Sequence, residues 1–232
     1  MRIAVSSSSF RGPLAAGELT QLEWLERSAT VLGVDGVLPA LEHFPRTDAD
    51  YVAQLRKVAV DLGIVPFGLD APKLLEPTAP PGTYEDTLAL ATGFGAAVIR
   101  TQLPQPGEIP PANFAEAVAA AKNLAKVAKA ANVTIVIVPA PGTLGEDLAE
   151  VKHLLKDVDS AWLRAAPGAT TDPSAFGSRD RFPALTAIAG EPAGAVAEGG
   201  RRGWVIVDAP PATPDPWGTI SSAILAWRAA AP

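Results

Sequence analysis

The feature that most constrains this chain is a repeated cycle, in which an amphipathic stretch ends at glycine or asparagine and passes at once into a short β-branched run. Leu19, Leu22, Leu25, Ala29 and Leu32 recur at helical spacing and stop at Gly33, after which Val34 to Leu38 reads as a strand. Thr47 is placed to cap a second helix with Tyr51, Leu55, Val58 and Leu62 on one face, closed by Gly63 and followed by a strand from Ile64 to Leu69. Thr83 and Asp86 form a capping-box-like start to a short helix that ends near Gly95, before a strand from Ala96 to Leu103. Phe114, Val118, Ala121, Ala125 and Ala128 mark a longer helix that stops at Asn132, ahead of Val133 to Val138. Leu144, Leu148, Val151 and Leu155 mark the next, ahead of Ala161 to Ala165.

Arg2 to Ser6 supplies an opening strand, and Trp204 to Asp208 with a helix from Pro216 to Ala230 supplies the closing unit. Near-continuously apolar strands that alternate with helices require a parallel sheet, covered on both faces or closed on itself. An open doubly wound sheet would carry a glycine-rich turn after its first strand, and Ser6 to Ser9 is a poor substitute for one. The spacing therefore predicts an α/β chain folded as a compact (β/α)8 TIM barrel, one domain over residues 1–232. Its seventh unit is expected to be degenerate: from Thr171 to Gly200 glycine and proline are dense, and only Leu185 to Ala189 reads as a strand.

Composition narrows the partners. The net charge is -6, and the longest basic run is Arg201-Arg202, which gives nothing to neutralise a nucleic-acid backbone. No cysteine is present, so disulfides and thiolate chemistry are excluded. The N-terminal apolar run is too short for a signal peptide, and no stretch reaches the length of a membrane span, so a cytoplasmic location without membrane attachment is expected.

Several segments taken together resemble the xylose-isomerase-like sugar isomerase and epimerase family. They are Gly33-Val34-Asp35-Gly36-Val37, Val98-Ile99-Arg100, the run from Val133 to Pro139, and Pro167-Gly168. The resemblance implies a barrel acting on a small sugar-derived molecule, with a divalent metal held at its C-terminal mouth by carboxylates and histidine. This sequence departs from that ligand pattern. Leu38, Val138 and Ala166 stand where acids are expected, Leu185 to Ala189 holds no histidine, and Asp208 is the carboxylate that remains. A hard cation needs several converging oxygen ligands, so neither a metal nor another cofactor is expected. A relocated metal site drawn from Glu42, Asp70 and Asp208 stays open as an alternative.

With Val138 and Ala166 at the family's ligand positions, alternation along the strands places Val136, Arg164 and Trp162 on the inward side; the resemblance implies that Arg100 is inward as well, and Gln102 follows it by two residues. Buried guanidinium groups need acids or an anionic ligand. Two arrangements follow: an internal network of Arg100, Arg164 and Asp208, or arginines that grip a phosphate or carboxylate. The candidate catalytic residues are His43, Glu42 and Asp208; the candidate ligand-binding residues are Arg100, Gln102, Arg164, Lys73 and Asp70. The expected partner is a small sugar-like ligand, and a homo-oligomer or a paralogous partner subunit is left open. The reading is a metal-independent isomerase, epimerase or lyase. Its alternative is a non-catalytic relative that binds a metabolite or supports a partner.

Overall fold

The computed structural model describes residues 1–76, 84–107, 112–168, 184–191 and 203–230. Its strands are β1 (Arg2–Ser6), β2 (Gly36–Leu38), β3 (Val65–Pro66), β4 (Gly68–Asp70), β5 (Val98–Thr101), β6 (Thr134–Ile137), β7 (Leu163–Ala165), β8 (Ala184–Ile188) and β9 (Trp204–Asp208). Helices α1 (Arg11–Ala15), α2 (Gln21–Thr30), α3 (Ala49–Asp61), α4 (Tyr84–Phe94), α5 (Phe114–Ala131), α6 (Leu148–Val158) and α7 (Pro216–Ala230) surround them. All the strand pairings are parallel. They form a five-stranded sheet in the order β3-β2-β1-β9-β8 and a four-stranded sheet in the order β4-β5-β6-β7.

Two isolated bridges join these sheets into a ring. Ala40 meets Asp70 at one seam, and Gly168 meets Thr186 at the other. β3 and β4 are one strand interrupted at Phe67, the first half pairing with β2 and the second with β5. The result is the expected (β/α)8 barrel, with thin hydrogen bonding at its two seams.

Local chemistry explains most of the boundaries. Thr20 and Glu23 form a full capping box at the start of α2. α3 is capped by Asp48 instead of Thr47: the Tyr51 amide donates to Asp48 Oδ1 at 3.1 Å, and a carboxylate is the better acceptor at the positive end of a helix. α6 starts at Leu148, after an Asp147–Glu150 capping box, so Leu144 lies outside it. α5 ends at Asn132, whose left-handed φ of 57° is tolerated by that side chain, as the sequence anticipates. Thr83, and most of the stretch expected to form the seventh unit, lie outside the described residues; β8 within that stretch runs Ala184–Ile188.

Alternation divides the apolar residues into two cores. Ile3, Val5, Val37, Ile99, Ile135 and Val207 pack outward against the helices. Ala4, Leu38, Val98, Val136, Ala166, Ala184, Trp204 and Ile206 fill the barrel itself, with Phe67 among them. Trp162, expected inward, packs with the outer core, because it precedes β7 in a turn where strand alternation does not yet hold.

Pairing registers in a barrel of this kind slip by about one residue per strand, so side chains at one height come from alternate strands. The floor layer is Gly36, Val98, Arg164 and Trp204. Trp204 stacks on Phe67 at 4.4 Å, and Arg2 lies 4.4 Å from its ring centroid on the same floor. A Cβ at Gly36 would fall 2.7 Å from the Trp204 ring, so glycine is what lets the indole cross the lumen. Near the mouth the layers are Ser6, Asp70, Val138 and Thr186, then Ala40, Gln102, Gly168 and Asp208.

Candidate functional site

Three charged side chains meet at the strand ends. Arg100 on β5 donates from Nε to Asp70 Oδ1 at 2.9 Å and from Nη2 to Asp70 Oδ2 at 2.6 Å. The same guanidinium reaches Asp208 on β9, through Nη1 to Oδ2 and through Nη2 to Oδ1 at 3.3 Å. A guanidinium carries five N–H donors. These contacts leave one Nη1 hydrogen without an acceptor among the described residues.

The serine-rich turn after β1 completes the cluster. Ser6 and Ser8 donate to Asp70 Oδ2 at 2.7 and 2.6 Å, and Ser9 lies 3.5 Å from Asp208 Oδ1 while accepting from the Ala209 amide at 2.9 Å. Ser6 also caps the 3-10 turn Ser7–Phe10, which fixes how these hydroxyls are aimed. The hydroxyls of the turn are aimed at the protein's own carboxylates. Sequence reading missed Ser6, Ser8 and Ser9 as members of the site, although four consecutive serines at a strand end were a visible signal.

The two carboxylates are unequal. The Asp70 pKa lies below the ordinary carboxylate value: burial opposes ionisation, but Arg100 and two serine hydroxyls outweigh it. The Asp208 pKa is raised, because burial and the nearby Asp70 charge exceed what Arg100 and the long Ser9 contact return. Its side chain is also the more accessible, 15% exposed against 6% for Asp70. Asp208 is therefore both the more accessible carboxylate and the one whose pKa is raised. Arg100 itself is held firmly charged by the two acids.

Gln102 shares the top layer with Asp208, is half-buried, and has no side-chain hydrogen bond among the described residues. The other two members of that layer, Ala40 and Gly168, are small.

The remaining candidates lie elsewhere. Arg164 does not join the network; its register with Val136 puts it in the floor layer, below Arg100, and it has no ion pair among the described residues. Lys73 is 71% exposed, 3.9 Å from Glu76. Glu42 is bound by Arg11 through Nε and Nη2 at 2.9 and 2.6 Å on the rim. His43 is buried, its Nδ1 lying 2.8 Å from Ser7 Oγ. Ser7 in turn accepts from the Ala40 amide. Desolvation lowers the His43 pKa, and Nε2 has no hydrogen bond, with Glu42 Oε1 3.7 Å away.

The donor set does not fit a divalent cation. Val138 and Ala166 offer no ligand atom, and both Asp70 and Asp208 are committed to Arg100, whose guanidinium takes the position between them. Glu42 turns away to Arg11, so the relocated trio does not converge. Among the described residues, no three histidine, aspartate or glutamate side chains are grouped as a metal site requires.

No protein-family model matches the chain, and no curated protein is significantly similar to it. Solved structures are more informative. An L-ribulose 3-epimerase superposes with a TM-score of 0.72 at 15% identity, covering 99% of this chain and 95% of its own. The fold they share is the (β/α)8 TIM barrel. A 3-keto-D-glucoside 4-epimerase from E. coli matches with a TM-score of 0.69 at 12% identity, over 99% of both chains. A probable 3-DHS dehydratase from Bacillus anthracis matches at 0.71 and 14%, over 97% of this chain and 98% of its own. At these identities the likeness establishes the shape of the barrel alone, and its chemistry rests on the residues at its mouth. Among the described residues, no helix is long and apolar enough to cross a membrane.

Proposed function

We propose that the barrel binds a small, polar, sugar-derived ligand at its mouth and moves a proton on it without a metal ion, as an isomerase or epimerase. The observation that carries this reading is the asymmetry of the two carboxylates around Arg100: Asp70 is saturated with donors, while Asp208 is accessible and has a raised pKa. A carboxylate shifted toward the working pH is suited to general acid–base catalysis, which contributes about 10²–10⁴-fold in rate. Asp208 would take a proton from a carbon beside a carbonyl and return it. The remaining Nη1 hydrogen of Arg100 and the Gln102 amide would hold the oxygen on which negative charge develops. The sugar epimerases that share the fold support the ligand class.

The test is deuterium incorporation. Chelator-dialysed protein is incubated in D2O with D-fructose, D-psicose or L-ribulose, and the sugar is read by NMR. Wash-in at the carbon beside the carbonyl, reduced at least about 100-fold by Asp208→Asn, is the expected result. Stabilisation by a sugar with no wash-in from any of the three would favour the second reading, a binding protein without catalysis. The observation on that side is that all but one of the Arg100 donors are already committed to the protein's own acids.

A further inference from the structure

The charges at the mouth do not balance. Asp70 and Asp208 bring two carboxylates to one guanidinium, and among the described residues no neighbouring group supplies the missing positive charge. Ser6, Ser8, Ser9 and Gln102 are neutral. His43, 5% exposed, is kept uncharged near neutral pH by burial. Arg11 is committed to Glu42 on the rim, Lys73 lies in solvent beside Glu76, and Arg164 sits on the floor. The excess resides on the Asp208 side, since Asp70 Oδ2 alone accepts from Arg100, Ser6 and Ser8.

A second polar group, the His43 imidazole, lies beside the cluster, with Nε2 3.7 Å from Glu42 Oε1. His43 Nε2 is buried without a hydrogen-bond partner among the described residues. His43 follows Ala40, a member of the top layer, and Ser7 ties the two together through the Ala40 amide and the imidazole.

We propose that the mouth selects a cationic, amine-bearing polyol, such as an amino sugar, over its neutral counterpart and excludes anionic forms. This rests on the reading of the mouth as a sugar site, and adds the charge of what it takes. An ammonium group against Asp208 gains a charge-assisted hydrogen bond and restores neutrality in a region poorly screened by water. The ligand hydroxyls meet Gln102 and the remaining Arg100 hydrogen. A phosphate or carboxylate in the same place would face uncompensated negative charge, with Arg100 already engaged on two sides.

Calorimetric titration of the full chain at neutral pH with D-glucosamine, D-glucose and glucose 6-phosphate tests this. Glucosamine is expected to bind roughly tenfold more tightly than glucose, an advantage that shrinks with added salt, and glucose 6-phosphate is expected not to bind. Asp208→Asn should reduce the difference between glucosamine and glucose to within about twofold, and Asp208→Glu, which keeps the charge, should retain it. Glucose binding as well as glucosamine, tight binding of glucose 6-phosphate, or an amine advantage that survives Asp208→Asn would each overturn the charge selection while leaving the sugar site standing. If none of the three binds, the sugar site itself fails and this inference with it.

Discussion

The floor and the mouth of the same barrel are built on opposite principles. At the floor, Trp204 crosses the lumen over Gly36, stacked on Phe67, and shape does the work. At the mouth, a few layers higher, the lumen is held by Arg100, Asp70, Asp208 and the serine turn, and shape does little. A packed apolar floor tolerates no change in volume, whereas a polar mouth can be altered as long as charges are altered in step. The comparison also separates two arginines that look alike in sequence. Arg100 enters the lumen where acids and hydroxyls await it, and Arg164 enters at the apolar end.

The largest effects should come from the centre of each region. Trp204→Ala and Arg100→Met are each expected to destabilise the fold by about 3–5 kcal/mol in urea unfolding, the first by leaving a cavity and the second by stranding two buried carboxylates. The two should part in their rescue: adding Asp208→Asn to Arg100→Met is expected to recover about 1 kcal/mol or more, and adding it to Trp204→Ala to recover nothing. Equal recovery in both would dissolve the contrast. Gly36→Ala is next, at about 1–3 kcal/mol, since the new Cβ meets both the Trp204 ring and the Val65 carbonyl.

Within the mouth the two acids should differ. Asp70→Asn is expected to cost about 1.5–3 kcal/mol through its charge-assisted hydrogen bonds, while Asp208→Asn changes stability by less than about 1 kcal/mol, because its ionised form is already disfavoured by burial. The smallest effect is a pH slope. His43 has a folded pKa below its ordinary 6.5, so its contribution is present above that value and is lost as pH falls from 6.5 toward the folded pKa. His43→Gln should flatten thermal stability across that window. Asp70, depressed below 3.8, acts in the same direction only at lower pH. Asp208, raised above 3.8, acts in the opposite sense, its contribution being lost as pH rises through its folded pKa.

The barrel was legible because its signals are local. Helical spacing from Leu19 to Leu32, the left-handed stop at Asn132 and the β-branched runs each act within a few residues. The inward direction of Arg100 was implied by the family resemblance of Val98-Ile99-Arg100. Asp208 was anticipated as one of its partners, whereas Asp70, on a strand 30 residues away in sequence, was not placed in the network. The height of Arg164 was hidden too, because alternation gives a side chain's face and only the register gives its level. The serine turn was weighed only as a poor substitute for a glycine-rich turn, because where its hydroxyls aim depends on the 3-10 turn that Ser6 caps.

The polar cluster also has a mechanical reading. The ring is two sheets that meet at the Gly168–Thr186 bridge on one side and, on the other, at the Ala40–Asp70 bridge beside the interrupted strand β3–β4. Asp70 and Arg100 belong to the four-stranded sheet, while Asp208, Ser6 and the turn bearing Ser8 belong to the five-stranded one. Every ion pair from Arg100 to Asp208, and every hydroxyl given to Asp70, spans the lumen from one sheet to the other. The same atoms that would greet a ligand thus act as a tie-beam between the half-barrels, and a ligand that draws Asp208 away from Arg100 loosens the frame it has entered.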